Sequence, residues 1–148
     1  TYEVLLHALN CYEKRGELID VVILLQATSP FRTGKHIKEA MKLYRPDIDM
    51  VVSVKETDSN PYYVCFEEDR EGFLHLSKGD GSRQDCPPVY EYNGAIYIIN
   101  PNSLKSMPLN KFTKRIKYVM DREHSIDLDT TMDWYMAEYM INTGMVTP

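Results

Sequence analysis

The apolar positions along the chain follow two periods that alternate in an order typical of one fold class. Continuous apolar runs at residues 21–25 (VVILL) and 50–54 (MVVSV) predict strands that are covered on both faces. Between them, apolar residues over 37–44 recur at helical spacing, and Pro46 ends that helix. Strand, helix and strand make one βαβ unit, so we expect an α/β fold with the two strands adjacent and parallel in the sheet centre.

The rest of the chain fits the same fold class with one interruption. An amphipathic helix is predicted at residues 4–12, and further strands at 95–99 and 116–120. Residues 62–67 and 73–76 instead read as a hairpin joined by a charged turn. Apolar side chains then line one face of a last helix: Met132, Tyr135, Met136, Tyr139 and Met140. The prediction is a three-layer sandwich with a mostly parallel sheet and a protruding β-hairpin.

Length and charge narrow the function classes. The 148 residues suit a single domain, 1–148, and the formal net charge of −5 argues against binding to nucleic acid or to an anionic membrane. No apolar stretch approaches membrane-spanning length. Three widely separated cysteines without a C-x-x-C pair argue against zinc or a disulfide framework and favour a reduced, cytoplasmic setting.

Asp127 and Asp129 form the strongest candidate metal site. They lie two residues apart between the predicted strand at 116–120 and the last helix. In an extended segment such side chains project to the same side, while Ile126 and Leu128 face the core. Two convergent carboxylates suit Mg²⁺, which usually takes one or two of them together with phosphate oxygens. The alternative is that Asp129 or Thr130 caps the last helix and Asp127 is a solvated loop residue.

Two further segments could bind a ligand. Residues 26–33 lie where a strand turns into a helix, with Gln26, Ser29 and Arg32 as candidate contacts; a plain capped turn is the alternative. Asn93 and Gly94 precede a buried strand, where glycine permits close approach and the amide can donate and accept, although a simple strand-entry turn fits as well.

Together these segments resemble the acylneuraminate cytidylyltransferase family. Residues 24–32 (LLQATSPFR) resemble its LLQPTSPLR motif, and residues 50–54 resemble the strand that follows. Residues 93–98 match NGAIYI, and residues 126–130 match IDxDT. Each motif alone is weak, but four in the same order cover nearly the whole chain.

The resemblance implies an enzyme that transfers CMP from CTP to a nonulosonic (sialic-type) sugar acid. It implies that Asp127 and Asp129 hold Mg²⁺ (or Mn²⁺). The sugar acid would be bound by Gln26, Arg83, Asn93 and Tyr97, with Tyr97 expected either from the same subunit or across a homodimer interface. The hairpin region, 57–89, resembles the dimerisation extension of the family.

Several features depart from the family pattern. Tyr63 and Glu91 stand where sialic-acid members carry cations, which points to a different or differently anchored sugar acid. The Gly-rich nucleotide loop of the family is expected upstream of Thr1, outside these residues. The alternatives are another sugar nucleotidyltransferase, acting on legionaminic or deoxyoctulosonic acid, and a non-catalytic dimerising α/β module.

Overall fold

The computed structural model describes residues 1–79 and 84–147, and its helices and strands follow the alternation in the sequence. A single 3-10 turn covers Leu109–Lys111. In chain order the other elements are α1 (Tyr2–Lys14), β1 (Val22–Leu24), α2 (Gly34–Met41), β2 (Met50–Glu56), β3 (Phe66–Glu68), β4 (Leu74–Leu76), β5 (Tyr90–Ile99), α3 (Pro101–Ser106), β6 (Arg115–Val119) and α4 (Thr131–Asn142).

The main sheet is mixed, with its strands in the order β1-β5-β2-β6. β1 runs antiparallel to β5, while β2 and β6 run parallel. Near the start of β2, the Asn100 N–H donates to the Asp49 carbonyl at 2.9 Å. Three residues into β2, the Ile96 N–H donates to Ser53 Oγ at 2.7 Å, so β2 and β5 run in opposite directions. The α/β class is confirmed, and the sheet is less parallel than predicted.

The prediction that the first two strands are adjacent in the centre of the sheet was wrong. β5 lies between β1 and β2, and β1 stands at the edge of the described sheet with Ile23 40% exposed. β2 behaves as expected, because residues 50–54 are all buried. A continuous apolar run predicts that both faces of a strand are buried, but it does not identify the strand that pairs with it.

Helix α2 packs against one face of the sheet. Its Ala40 is fully buried and joins a core made with Ile48, Val51, Ile96 and other apolar residues of the sheet. The Thr33 side chain caps α2, and the His36 side chain returns the interaction in a capping box. A second core, around Phe31, joins the loop after β1 to α4. Of the five apolar residues predicted on one face of the last helix, Met140 is buried, whereas the other four are 50–69% exposed.

The chain divides into two compact units, one formed by Thr1–Val54 with Tyr92–Pro148 and the other by Lys55–Glu91. The second unit includes residues 57–89, and the role of this region in dimerisation stays a prediction. It contains the β3–β4 hairpin, whose first strand begins at Phe66 rather than at residue 62. Within it, Glu91 accepts a hydrogen bond from Thr57 and forms an ion pair with Lys55 at 3.1 Å.

Candidate functional site

The loop after β1 is held in place from within. Arg32 Nη1 donates to the carbonyl oxygens of Gln26 and Ser29, and Ser29 Oγ donates to the Asn93 carbonyl at 3.3 Å. Phe31 is fully buried and anchors the loop in the α4 core. Partial burial lowers the pKa of Arg32. This guanidinium therefore braces the loop, and the side chain of Gln26 is presented at one end of it.

Gly94 is the point on which the predicted site residues converge. Its φ is +73°, a conformation that favours glycine. A Cβ at this position would lie 2.4 Å from Gln26 Oε1, 3.3 Å from Asp127 Oδ2 and 3.4 Å from Ser29 Oγ. Side chains from two separate segments thus meet over a bare backbone on a third. Of the nine candidate residues named from the sequence, Gln26, Ser29, Gly94 and Asp127 are brought together here.

Asp127 has an environment unusual for a carboxylate. Ile126 and Leu128 on either side pack against the α4 core, as the alternation predicted. The Leu128 N–H donates to the Thr28 carbonyl at 2.8 Å, which joins this segment to the loop after β1. Asp127 Oδ1 is buried and has no hydrogen-bond partner among the described residues. A buried acceptor without a donor is costly, so this oxygen is suited to a cation or to a donor on a ligand.

Asp129 lies at the entrance to α4 and is exposed. The cap of that helix is Thr130: its Oγ1 accepts from the Asp133 N–H, and Asp133 accepts from the Thr130 N–H at 2.7 Å. Hydrogen bonds from Thr130 lower the pKa of Asp133. The side chain of Asp129 is therefore not the helix cap.

Asn93 occupies a different environment from the one expected for a sugar contact. The residue is 3% exposed. Its Oδ1 accepts from Ser53 Oγ at 2.6 Å, and its Nδ2 donates to Ser125 Oγ at 2.9 Å. Both serines are buried, and neither was singled out in the sequence. The signal for Ser53 was available, since it is the polar residue within an otherwise apolar strand segment, MVVSV.

Tyr97 lies on β5, opposite Leu24 of β1. Burial raises the pKa of its phenol, with smaller contributions from Tyr92 and Asp127. The two tyrosine rings pack edge to face with centroids 6.2 Å apart. They line a cavity of about 380 Å³ together with Met50, Leu109, Asn110 and Arg115.

Two negative findings concern the described residues, and one predicted contact lies outside them. Arg83 is not among the described residues. Within 1–79 and 84–147, no three His, Cys, Asp or Glu side chains gather into a group that could hold a metal. In the same part of the chain, no helix has the length and apolar character needed to cross a membrane.

Comparison with known proteins supports the resemblance seen in the motifs. The chain is 35% identical over 137 residues to an N-acylneuraminate cytidylyltransferase of Streptococcus agalactiae serotype III (strain NEM316), covering 90% of this chain and 32% of that protein. It is 34% identical over 143 residues to the enzyme of the same name from Escherichia coli O18:K1:H7 (strain RS218 / NMEC), covering 93% and 32%.

A further relative is named for a different sugar acid. The chain is 30% identical over 137 residues to a CMP-N,N'-diacetyllegionaminic acid synthase of Legionella pneumophila (strain Philadelphia 1), covering 88% of this chain and 57% of that protein. No protein-family model matches the chain. The chain spans about a third of the length of the first two relatives. Over nearly all its residues, the chain is similar to part of proteins named N-acylneuraminate cytidylyltransferase and CMP-N,N'-diacetyllegionaminic acid synthase.

Proposed function

We propose that the protein containing this chain is a cytidylyltransferase that transfers CMP from CTP to a nonulosonic sugar acid. The observation that carries the proposal is the Asp127 carboxylate: its Oδ1 is buried and has no hydrogen-bond partner in the described structure, and its Oδ2 lies close to Gly94. The relatives named for this chemistry align over about nine-tenths of the chain. In the whole protein we expect a three-layer α/β sandwich.

The donor set fits a hard divalent cation. Asp127 offers a carboxylate oxygen that accepts nothing from the described protein, and Asp129 offers a second carboxylate on an exposed segment two residues away. Carboxylate oxygens are the ligands that Mg²⁺ and Mn²⁺ take in phosphoryl-transfer sites. When bound, the metal would neutralise charge that develops on the phosphate oxygens.

The reaction we propose joins the anomeric hydroxyl oxygen of the sugar acid to the α-phosphorus of CTP. The bond from that phosphorus to the bridging oxygen breaks, pyrophosphate leaves, and the hydroxyl proton passes to solvent. Gln26 supplies an amide that can hydrogen-bond the sugar, and the absence of a side chain at Gly94 leaves room for that amide beside the backbone. Arg32 and Asn93 hold the two segments that carry these groups. The contribution of the protein is mainly positioning and charge stabilisation.

The identity of the sugar acid is a separate question. One relative is named for a diacetyllegionaminic acid, and others for acylneuraminate. Glu91 is engaged by Lys55 and Thr57, so this position presents no cation to a substrate carboxylate. This departure favours a nonulosonic acid other than the common sialic acid, or one that is anchored differently, with legionaminic and deoxyoctulosonic acids as the alternatives to compare.

The test uses the protein as its gene encodes it. The purified protein is incubated with Mg²⁺, each of the four nucleoside triphosphates and a panel of 2-keto sugar acids, and pyrophosphate release and the nucleotide-sugar product are measured. We expect product with CTP and at least one nonulosonic acid. If no pyrophosphate is released with any combination of sugar acid and triphosphate, the proposal is contradicted and the non-catalytic module is favoured. The predicted cytoplasmic location stays a prediction.

We propose in addition that the second unit forms a two-fold homodimer. Its hairpin exposes Phe66 (52%) and Leu74 (66%), and a lone two-stranded hairpin is marginal in water. Glu67 lies on the opposite face of the same strand. Sedimentation at micromolar concentration should therefore give a dimer that Phe66→Ser weakens and Glu67→Gln does not. A wild-type monomer would contradict this proposal.

A further inference from the structure

Three side chains form a buried polar chain beneath the candidate site. Ser53 on β2, Asn93 on β5 and Ser125 before the Asp127 segment are 0%, 3% and 2% exposed. Ser53 Oγ lies 2.6 Å from Asn93 Oδ1, and Asn93 Nδ2 lies 2.9 Å from Ser125 Oγ. The contacts join residues 40 and 32 positions apart in the sequence. The sheet is thus tied by side chains to the turn that leads into Asp127.

The direction of every hydrogen bond in this chain is determined. Ser125 Oγ donates to the Asp121 carbonyl, so it must accept from the Asn93 amide nitrogen. At the other end, Ser53 Oγ accepts from the Ile96 N–H at 2.7 Å and has one proton to give. Its nearest acceptor is Asn93 Oδ1, since the Ile96 carbonyl is farther away at 3.2 Å. The amide of Asn93 therefore has one orientation, and both ends of it are held.

This arrangement places the backbone on which the site converges. Gly94 follows Asn93 directly, and the Asn93 carbonyl accepts from Ser29 Oγ at 3.3 Å. Asp127 is two residues after Ser125, so the same amide constrains Gly94 and the carboxylate that faces it. A fully satisfied buried network of this kind is rigid, because breaking one member leaves its neighbours unpaired.

We propose that Ser53 and Ser125 are positioning residues: through Asn93 they set the position of Asp127 relative to Gly94 and Gln26. The consequence for catalysis rests on the proposed function. A displacement of about 1 Å at a reacting centre can lower a rate by about a hundredfold. Neither hydroxyl is exposed, so both would act through Asn93 and not by touching a substrate.

The test compares Ser53→Ala and Ser125→Ala with Ser103→Ala in the protein as its gene encodes it. Ser103 Oγ donates to Asp49 Oδ1 at 2.7 Å, at the opposite end of β2, so its loss is a matched change remote from the site. We expect kcat to fall about ten- to a hundredfold in the two site variants, with KM for CTP within about twofold. Ser103→Ala should keep kcat while losing comparable thermal stability.

A second measurement separates the positioning from the proposed function. Crystal structures of Ser125→Ala and Ser103→Ala should show a reoriented Asn93 amide and a displaced Asp127 carboxylate in the first and not in the second. Unchanged kcat and unchanged Asp127 geometry in Ser125→Ala would overturn the positioning role. Absence of CMP transfer by the wild type would overturn the proposed function, and the structures would still decide the position of Asp127.

Discussion

Asp49 and Asp127 are two carboxylates of the same compact unit, and they differ in the hydrogen-bond donors around them. The Asp49 side chain accepts from the N–H groups of Thr113 (2.9 Å) and Lys114 (2.8 Å) and from Ser103 Oγ. The backbone N–H of Lys114 is the largest cause of a lowered pKa at Asp49. Asp127 has a buried oxygen for which no described group provides a donor.

The contrast separates a structural carboxylate from one available for binding. Donors around Asp49 join the turn before β2 to the turn before β6, so its charge stabilises the fold. An uncompensated buried oxygen destabilises the fold until something binds it. Substitution of Asp127 should therefore lower activity and leave stability intact, whereas substitution of Asp49 should lower stability and leave activity intact.

Asp127→Asn should lower turnover by two orders of magnitude or more, because it removes charge stabilisation at the reacting centre. The melting temperature should be unchanged or higher, since the change removes a carboxylate that has one buried oxygen without a donor. Steady-state kinetics of CMP transfer and thermal unfolding measure the two effects. Asp47→Asn, at an exposed residue paired with Arg45, is the control and should change neither. Near-normal Mg²⁺-dependent activity in Asp127→Asn would show that the Asp127 carboxylate is not part of the active site.

Gly94→Ala should be the next most damaging change. The added Cβ would lie 2.4 Å from Gln26 Oε1, and the φ of +73° is unfavourable for alanine. Gln26 must move away, so we expect about a tenfold or greater loss of kcat/KM for the sugar acid. Gly16→Ala provides a control at a similar φ of +82° with nothing within 4 Å. Equal kinetic effects in the two variants would show that strain, and not displacement of Gln26, is responsible.

The sequence predicted which residues lie at the site better than it predicted the contacts between them. The alternation over 126–129 correctly placed Ile126 and Leu128 in the core, because period two is a local property of an extended segment. The role of Asn93 was beyond reach, since its amide is held by serines 40 and 32 residues away. The position of β1 was missed for the same reason: strand order depends on pairing between distant segments.

Asp49→Asn should give the stability effect that Asp127→Asn lacks. The neutral amide loses charge-assisted hydrogen bonds, and because the site is partly solvated we expect a loss of about 1 kcal/mol. Activity should remain close to the wild type, because Asp49 lies before β2 at the end away from Asn93. Chemical denaturation followed by circular dichroism measures the loss, and no change in unfolding free energy would show that the donors around Asp49 gain nothing from its charge.

The same residue should account for part of the acid sensitivity. The pKa of Asp49 is lower in the folded protein than in the unfolded chain, so its stabilisation is present above about pH 4 and is lost as pH falls through the folded pKa. Asp49→Asn should therefore lose less stability than the wild type on acidification over that range. Parallel acid limbs in the two proteins would place the sensitivity elsewhere.

The smallest effect on stability is expected at His36, because protonation of its ring at low pH breaks a hydrogen bond that the ring accepts. In the capping box of α2, the Thr33 N–H donates to His36 Nδ1 at 3.2 Å, so the ring must be neutral at that nitrogen. Burial, with a smaller contribution from His124, lowers the pKa of His36, whereas Asp121 and Glu39 oppose the shift. A folded pKa below the unfolded value means that stability is lost as pH falls from about 6.5 through the folded pKa.

His36→Gln should keep the cap and remove its pH dependence, because Gln at this position also accepts from the N-cap N–H and does not titrate. The melting temperature should then fall by a degree or two less than that of the wild type between about pH 7.5 and 5.5, since a cap contributes about 1 kcal/mol. His75→Gln, at an exposed histidine paired with Asp69 in the second unit, is the matched control for removing an imidazole. If both variants keep the wild-type pH slope, protonation of His36 does not open the cap, and the acid loss belongs to carboxylates such as Asp49.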